Sequence, residues 1–297
     1  MMEDLYTKYK GLLFKLAYQL TGTASDAEDI VQDVFMKAHG IALDQMANPK
    51  AYLCKMTTNR CLDVLKSARK RRELYIGPWL PEPIPTPDAD ALGAVIQKDL
   101  LSYAMLVLLE RLTPAERAVF VLREALCFEY ADIAELIGKG ESNCRKLMSR
   151  ARAKMGMAED ASVSIEEAGE EWIGRFLIAL EQGNVSTVLS LLSEDVVLLS
   201  DGGGKALAAI QPVATRERVA QFLFGLIRKA AQDGMSLQVE ITGLNGQTGL
   251  VIRTGGQLET VALLHVEQET IRHIYFIRNP DKLQFVVSSI DGSTSSG

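Results

Sequence analysis

A chain of 297 residues, 47% apolar and 24% charged, is long enough for two or three globular domains. Its longest nearly unbroken apolar run, Leu100–Leu109, is too short to cross a bilayer, and the acidic, polar N-terminus carries no signal peptide, so a cytoplasmic protein with no membrane partner is expected. Cys54, Cys61, Cys127 and Cys144 form no CxxC pair and accompany only three histidines; this argues against a zinc site or a disulfide framework and for buried helical thiols, with neither metal nor cofactor. The net charge of −6 is uneven: residues 1–155 hold 22 basic and 20 acidic side chains, residues 156–297 hold 10 and 18. The acidic total does not exclude nucleic acid, because local clustering sets the phosphate footprint.

Residues 3–72 read as wholly helical. Leu5, Tyr9, Leu12, Leu13, Leu16 and Leu20 recur at helical spacing. A second helix starts at Thr23-Ala24-Ser25-Asp26 and ends near Gly40, with acids in the first turn where the helix dipole favours them. Ala27, Ile30, Val31, Val34 and Phe35 form its apolar face. The opposite face, Asp26, Glu28, Asp29, Gln32 and Asp33, would repel DNA and suits a protein partner with a basic groove, or is simply solvated. A third helix, Lys50 to about Arg72, ends in Lys66, Arg69, Lys70, Arg71 and Arg72. With Tyr52, Asn59, Arg60 and Asp63 beside this basic track it offers stacking faces and edge donors to single-stranded bases; alone, the charge run is also that of a solvated helix end.

Five of the nine prolines fall in Pro78–Pro87, which predicts an extended linker, unusual in carrying Trp79. A helix is expected to resume near Leu92 and to lead into Leu112–Met155. There Ala131, Ile133, Ala134, Leu136 and Ile137 form a packing face, Gly138 allows a turn, and a basic helix follows. Two helices joined by a tight Gly turn, the second cationic, have the layout of a DNA-binding helix-turn-helix; the alternative is an ordinary solvated basic helix in a helical bundle. Glu141, Ser142, Asn143, Arg145 and Lys146 lie in the first turns of the second helix, which meet base edges in that geometry; Arg150, Arg152 and Lys154 suit phosphates.

After an acidic joint at 158–168 the pattern changes. Helices are expected at Ile165–Gln182, Val185–Leu192 and Thr215–Gln232, and strands at Val196–Ser200, Leu237–Thr242, Thr248–Thr254, Gln257–Glu267 and Ile271–Arg278. Helices followed by hairpin-linked strands, punctuated by Asn245-Gly246 and Gly255-Gly256, read as an α+β domain with a curved antiparallel sheet. Asp291–Gly297 reads as a disordered tail.

Residues 1–155 resemble an extracytoplasmic-function sigma factor of the sigma-70 family. SDAEDIVQDVF resembles the region-two segment that grips the clamp helices of RNA polymerase, NPKAYLCKMTTNRCLDVLKSARKRR the part that melts and reads the −10 element, and residues 112–155 region four, which reads the −35 element. Gly140 departs from the Ser or Thr that would better cap the recognition helix. The second half resembles a branch with a C-terminal SnoaL-like extension, marked by three motifs that stand here intact: Trp79-Leu80-Pro81-Glu82-Pro83, Asp201-Gly202-Gly203-Gly204-Lys205 and Asn279-Pro280-Asp281-Lys282-Leu283. Without the family, Trp79 between prolines suits docking in a groove. The Gly run suits close approach of an anion or a backbone, or a tight turn, and Pro280 ends the last strand.

The resemblance implies a multidomain chain: region two at 1–73, the linker at 74–95, region four at 96–157, a SnoaL-like cone at 165–290 and the tail at 291–297. It implies core RNA polymerase and promoter DNA as partners, and a C-terminal domain that regulates in cis by touching the linker near Trp79 and the region-two helices. The alternative is a helix-turn-helix regulator whose cone senses an unidentified small ligand or protein partner. Catalysis by Asp195, Asp201, His265 or His273 is the lesser reading, since no acid–base pair or nucleophile–base spacing stands out.

Overall fold

The computed structural model describes residues 2–39, 41, 48–86, 101–157 and 169–293, and its contacts divide the chain into two units. The first is made of residues 1–74, 87–101 and 105–163; the second of 75–86, 102–104 and 164–297. The residues flanking Trp79 thus belong structurally with the C-terminal half. The helix expected near Leu92 and the joint at 158–168 lie outside the described residues.

In the first unit, α1 (Met2–Thr21), α2 (Ala24–Ala38) and α3 (Pro49–Glu73) bury the faces their periodicity marks. Leu13, Leu16 and Leu20 of α1 meet Ala27, Ile30, Val31 and Val34 of α2 and Leu53 of α3 in one core. Tyr6 packs edge-on against Phe35 at 4.9 Å. The second helical group is α4 (Tyr103–Leu109), which belongs to this unit from Met105 on, α5 (Pro114–Phe120), a π-helical turn (Val121–Ala125), α6 (Tyr130–Ile137) and α7 (Glu141–Met155). Thr113 and Glu116 cap α5 reciprocally, with Pro114 at the first position, where no N–H is needed. Gly138, at φ 64°, ends α6 in the left-handed conformation and turns the chain into α7. Gly140 begins α7 with no side-chain cap.

Both helical groups belong to one packed unit. α3 lies against α5 and α6, and Lys55 of α3 reaches Glu135 of α6 at 3.8 Å. Arg117, 2% exposed, ties the two together: it donates to the carbonyls of Leu109 (3.0 Å) and Leu20 (2.9 Å) and pairs with Glu110 at 2.6 Å. Cys54, Cys61 and Cys144 are buried helical thiols, and burial pushes Cys54 up to about 11. Cys127 departs from the expectation: it is exposed, in the loop after the π turn, at φ 54°. That turn ends the helix early and puts the thiol outside.

In the second unit, α8 (Glu170–Glu181), α9 (Val185–Leu191) and α10 (Arg216–Gln232) accompany six strands: β1 (Leu192–Asp201), β2 (Val213–Ala214), β3 (Leu237–Leu244), β4 (Gln247–Thr254), β5 (Gln257–Glu267) and β6 (Thr270–Ile277). Their order is β2-β1-β6-β5-β4-β3. The pairings are antiparallel except β1 with β6, which is parallel. Three register shifts, in β1/β6, β4/β5 and β5/β6, mark bulges of the kind that bend a sheet.

The helices cover one sheet face, where Ile173, Phe176, Val188 and Leu223 pack on Leu198, Ala262, Leu264 and Ile274. The other face is buried too. Val261, Leu263, Tyr275 and Ile277 alternate to that side and are at most 3% exposed. A helix that the sequence reading missed, α11 (Pro280–Ser293), packs on β5 and buries Leu283 and Val286. It takes in residues 291–293 of the expected tail; residues 294–297 lie outside the described ones.

Replacing Arg117 with Ala leaves two carbonyls and the largely covered Glu110 carboxylate without their cation. Urea unfolding of the full chain should register a loss of about 3–5 kcal/mol, as for other broken buried pairs.

Candidate functional site

The three short motifs meet at one buried ion pair. Asp201, the last residue of β1, is 0% exposed, and Lys282, in the first turn of α11, is 5% exposed. The Lys282 ammonium donates to Asp201 Oδ2 at 2.7 Å and also to the Leu80 carbonyl. It lies 3.8 Å from the centre of the Trp79 ring and 5.1 Å from that of Tyr75. A lysine out of water needs this surround of one carboxylate, one carbonyl and two aromatic faces.

Asp201 is equally committed. Oδ2 also accepts the Leu80 N–H at 2.8 Å, and Oδ1 accepts the Tyr75 hydroxyl at 2.6 Å. Its carbonyl takes the N–H groups of Arg278 and Asn279, both at 2.8 Å. Burial, then the Asp201 carboxylate beside it, hold the Tyr75 phenol well above the usual tyrosine range. The Asn279 side chain donates to the Tyr75 oxygen at 2.8 Å, while its own Oδ1 accepts the Asp281 N–H at 3.1 Å. Asn279 is therefore the cap of α11 and Pro280 its first residue. Asn-Pro-Asp is a helix-start signal, and reading it as a strand stop alone is what hid α11.

The glycines of Gly202–Gly204 close this site sterically. A Cβ at Gly203 would stand 2.3 Å from Asn279 Nδ2 and 2.8 Å from the Tyr75 hydroxyl, at a φ of +58°. A Cβ at Gly204 would meet Ile76 at 2.9 Å. The Gly run serves approach to the chain's own backbone and side chains. Lys205 pairs with Asp281, both half-exposed.

Past Trp79 the segment runs extended along the β3–β4 hairpin. Ile84 exchanges hydrogen bonds with Asn245, donating to Oδ1 at 3.1 Å and accepting from the backbone N–H at 2.8 Å. Thr86 N–H donates to the Gly243 carbonyl at 2.9 Å, and Pro85 bridges Leu244. Pro81, Pro83 and Pro85 occupy the alternate positions, where a missing N–H costs no such bond. Leu80 is 0% exposed, a burial typically worth about 2 kcal/mol. Tyr103, also 0% exposed, donates to the Pro81 carbonyl at 2.6 Å and packs on Tyr275. Glu82 is buried with the rest.

Asp195, Asp201, His265 and His273 do not assemble into an acid–base site. Asp195 is held low by Ser193 and Arg272 at the surface. His265 and His273 share a hydrogen bond between their Nδ1 atoms (3.2 Å), and burial holds His265 below the usual histidine range.

In the first unit, Glu28, Asp29 and Gln32 stand exposed on α2, beside a groove lined by Tyr6, Phe14, Val31, Phe35 and Met36. Asp26 accepts from Thr23 at 2.7 Å. Asp33 pairs with Arg60 of α3 at 3.0 Å, so one expected polymerase contact binds one expected DNA contact. Tyr52 is half-buried, Asn59 is exposed, and Lys66 pairs with Asp63 at 3.0 Å. The side chains of residues 68–73 lie outside the described ones.

Glu141, Ser142, Asn143, Arg145, Lys146 and Arg150 are all exposed on α7. Arg145 bonds Glu141 at 2.7 Å. Arg152 is engaged by Glu124 at 2.8 Å and Lys154 by Glu116 at 2.7 Å. Burial raises the Glu116 carboxyl, but Lys154 and Thr113 outweigh it and hold it low. The basic end of α7 thus spends part of its charge inside the unit.

Residues 5–71 match the family model of Sigma-70 region 2, and residues 102–155 that of Sigma-70, region 4. ECF RNA polymerase sigma factor SigJ of Mycobacterium tuberculosis is 36% identical over 283 residues, 91% of this chain and 89% of that one. The probable ECF RNA polymerase sigma factor SigI of the same species is 35% identical over 191 residues, 63% and 66% of the two chains. The crystal structure of M. tuberculosis SigJ superposes with a TM-score of 0.76 at 31% identity, covering 95% of this chain and 98% of that one.

Lys282→Met leaves the Asp201 carboxylate buried without its cation and should cost about 3–5 kcal/mol in chemical unfolding, whereas Asp201→Asn combined with Lys282→Met should recover a large part of that loss. Gly203→Ala, crowding both Asn279 and Tyr75, should speed protease cleavage within residues 75–86, read by mass spectrometry of the fragments. The raised phenol of Tyr75 stays protonated as pH rises through the ordinary tyrosine range. Its contribution to stability is therefore present below about pH 10 and lost only above it. A spectrophotometric titration should show no difference between wild type and Tyr75→Phe in tyrosinate formed near pH 10.

Proposed function

The chain belongs to the extracytoplasmic-function sigma factors of the sigma-70 family, and from that premise we propose that it binds core RNA polymerase and directs it to specific promoters, under the control of its own C-terminal domain. Family membership over nine-tenths of the chain supports initiation. The observation that carries the regulatory part is the docking of the Tyr75–Thr86 segment, buried from Leu80 to Ile84 and bonded to Lys282 and Asp201 through Tyr75 and Leu80. The segment that leaves α3 is built into the C-terminal unit rather than standing free. Such a factor acts in the cytoplasm, as a non-enzymatic subunit of a polymerase that performs the chemistry.

On this reading Asp26, Glu28, Asp29, Gln32 and Asp33 meet the polymerase. Tyr52, Asn59, Arg60, Asp63 and Lys66 engage the −10 strand. Glu141, Ser142, Asn143, Arg145 and Lys146 read the −35 duplex, with Arg150 on phosphates, whereas Arg152, expected beside it, is held by Glu124. The two promoter elements, named for positions 25 base pairs apart, are separated by about 85 Å of helix axis at 3.4 Å per base pair. A unit in which Lys55 of α3 touches Glu135 of α6 at 3.8 Å cannot place α3 and α7 on both at once. Activation is then a shift from a packed to an opened arrangement, driven by any partner that binds the opened one better. Core polymerase with promoter DNA is such a partner.

Purified protein with core polymerase should initiate from a promoter that core alone ignores. Lys282→Met, which loosens the clamp on the linker, should change that output severalfold while core binding, read by co-elution, stays as in wild type. Unchanged output would remove the regulatory role of the clamp and leave the initiation role standing.

A further inference from the structure

Among the exposed side chains of α7, Arg145 alone has a described aromatic ring against it. Its guanidinium carbon lies 4.4 Å from the centre of the Tyr130 ring, and its Nη2 donates to Glu141 Oε1 at 2.7 Å. Arg145 is 60% exposed and Glu141 47%, so both face solvent. An exposed ion pair one turn apart is weak and salt-screened, and cannot by itself fix so long a side chain. The ring supplies a second constraint. Tyr130 opens α6, and Arg123 approaches its ring as well, at 5.1 Å. Arg123 is itself anchored, donating to the Phe128 carbonyl at 2.9 Å and pairing with Glu129 at 3.0 Å. A continuous chain of contacts therefore runs from the loop before α6, through Arg123 and Tyr130, to Arg145.

We propose that Tyr130 is a positioning residue for promoter recognition, holding the Arg145 guanidinium in the orientation from which it reads a base pair of the upstream element. The inference rests on the reading of α7 as the base-contacting helix. The chemistry favours a ring over a second carboxylate. A ring face attracts the cation without taking any of its N–H groups, and of the five only one is given to Glu141. Guanine asks for two in-plane donors, on N7 and O6, which an arginine so held can still offer. Arg152 makes the contrast: its side chain is 14% exposed and its ion pair with Glu124 runs back into the unit. If Glu141 turns to accept from a cytosine, the ring alone keeps Arg145 in place.

The test is a selection by holoenzyme, assembled from full-length protein and core polymerase, on a duplex DNA library randomised across the upstream promoter region. Arg145→Ala and Tyr130→Leu should lose preference at the same base pair, the latter by about 2- to 5-fold, the scale of an exposed cation–π contact. Tyr130→Phe, which keeps the ring face, should retain it. Tyr130→Gln is run beside Tyr130→Leu, with melting and core binding recorded, so that an unfolded variant is not mistaken for a specificity effect. The proposal is overturned if either folded non-aromatic variant keeps the preference that Arg145→Ala loses. If Arg145→Ala loses no preference, the base-reading role of Arg145 fails and the positioning role falls with it. Transcription from the selected DNA separately reports whether the chain initiates at all.

Discussion

A lysine ammonium and an aspartate carboxylate held out of water decide the architecture of the C-terminal unit. Removing both charges from solvent is expensive, and their mutual attraction repays it only if every remaining donor and acceptor is met. Here the partners come from four places: the end of β1 gives Asp201, the start of α11 gives Lys282, the Gly turn lets Asn279 and Tyr75 close in, and the linker gives Leu80 and Trp79. No one of these can leave without stranding a buried charge. The pair therefore behaves as a conditional bond, strong with the linker in place and costly without it. That is the property a two-state latch requires.

The conditional character also explains the composition of the motifs. Trp79 covers the ammonium without competing for its hydrogens, as a polar residue would. Three consecutive glycines leave room that any side chain at Gly203 would fill. Asn279 both caps a helix and donates to Tyr75, so the helix starts only where the site can form. These residues look unrelated along the chain because their relation is a shared partner, Asp201, whose two carboxylate oxygens and backbone carbonyl take their donors.

Local periodicity made the helical half legible, as the three helices of residues 2–73 and the Gly138 turn show. The strands from β3 to β6 could be read from alternation and from Asn-Gly and Gly-Gly turns. What periodicity could not give was the second buried face of the sheet. Residues such as Val261 and Leu263 are indifferent to which layer covers them, and the covering helix α11 begins with a Pro that also ends a strand. A contact between the C-terminal domain and the linker near Trp79 was expected, but the meeting of all three motifs on one ion pair was not, because Asp201 and Lys282 are 81 positions apart. Arg152 and Lys154 were read as surface cations, yet their partners Glu124 and Glu116 lie on other segments, invisible to a charge count along one helix.

The linker can serve only one master at a time. With Pro81, Pro83 and Pro85 at alternate positions, the backbone donors from 80 to 86 are those of Leu80, Glu82, Ile84 and Thr86, and the donors of Leu80, Ile84 and Thr86 are given to Asp201, Asn245 and Gly243. Its two large aromatics, Tyr75 and Trp79, already face Lys282. A partner that pairs with the N–H groups of Leu80, Ile84 and Thr86 must take these bonds from the C-terminal unit, since the prolines remove the second row that an extended strand would otherwise offer. Losing them exposes the ion pair to water and relaxes the start of α11 with it. Capture of the linker by a partner and integrity of the Asp201–Lys282 site are thus mutually exclusive states, and the proline spacing is what makes them so.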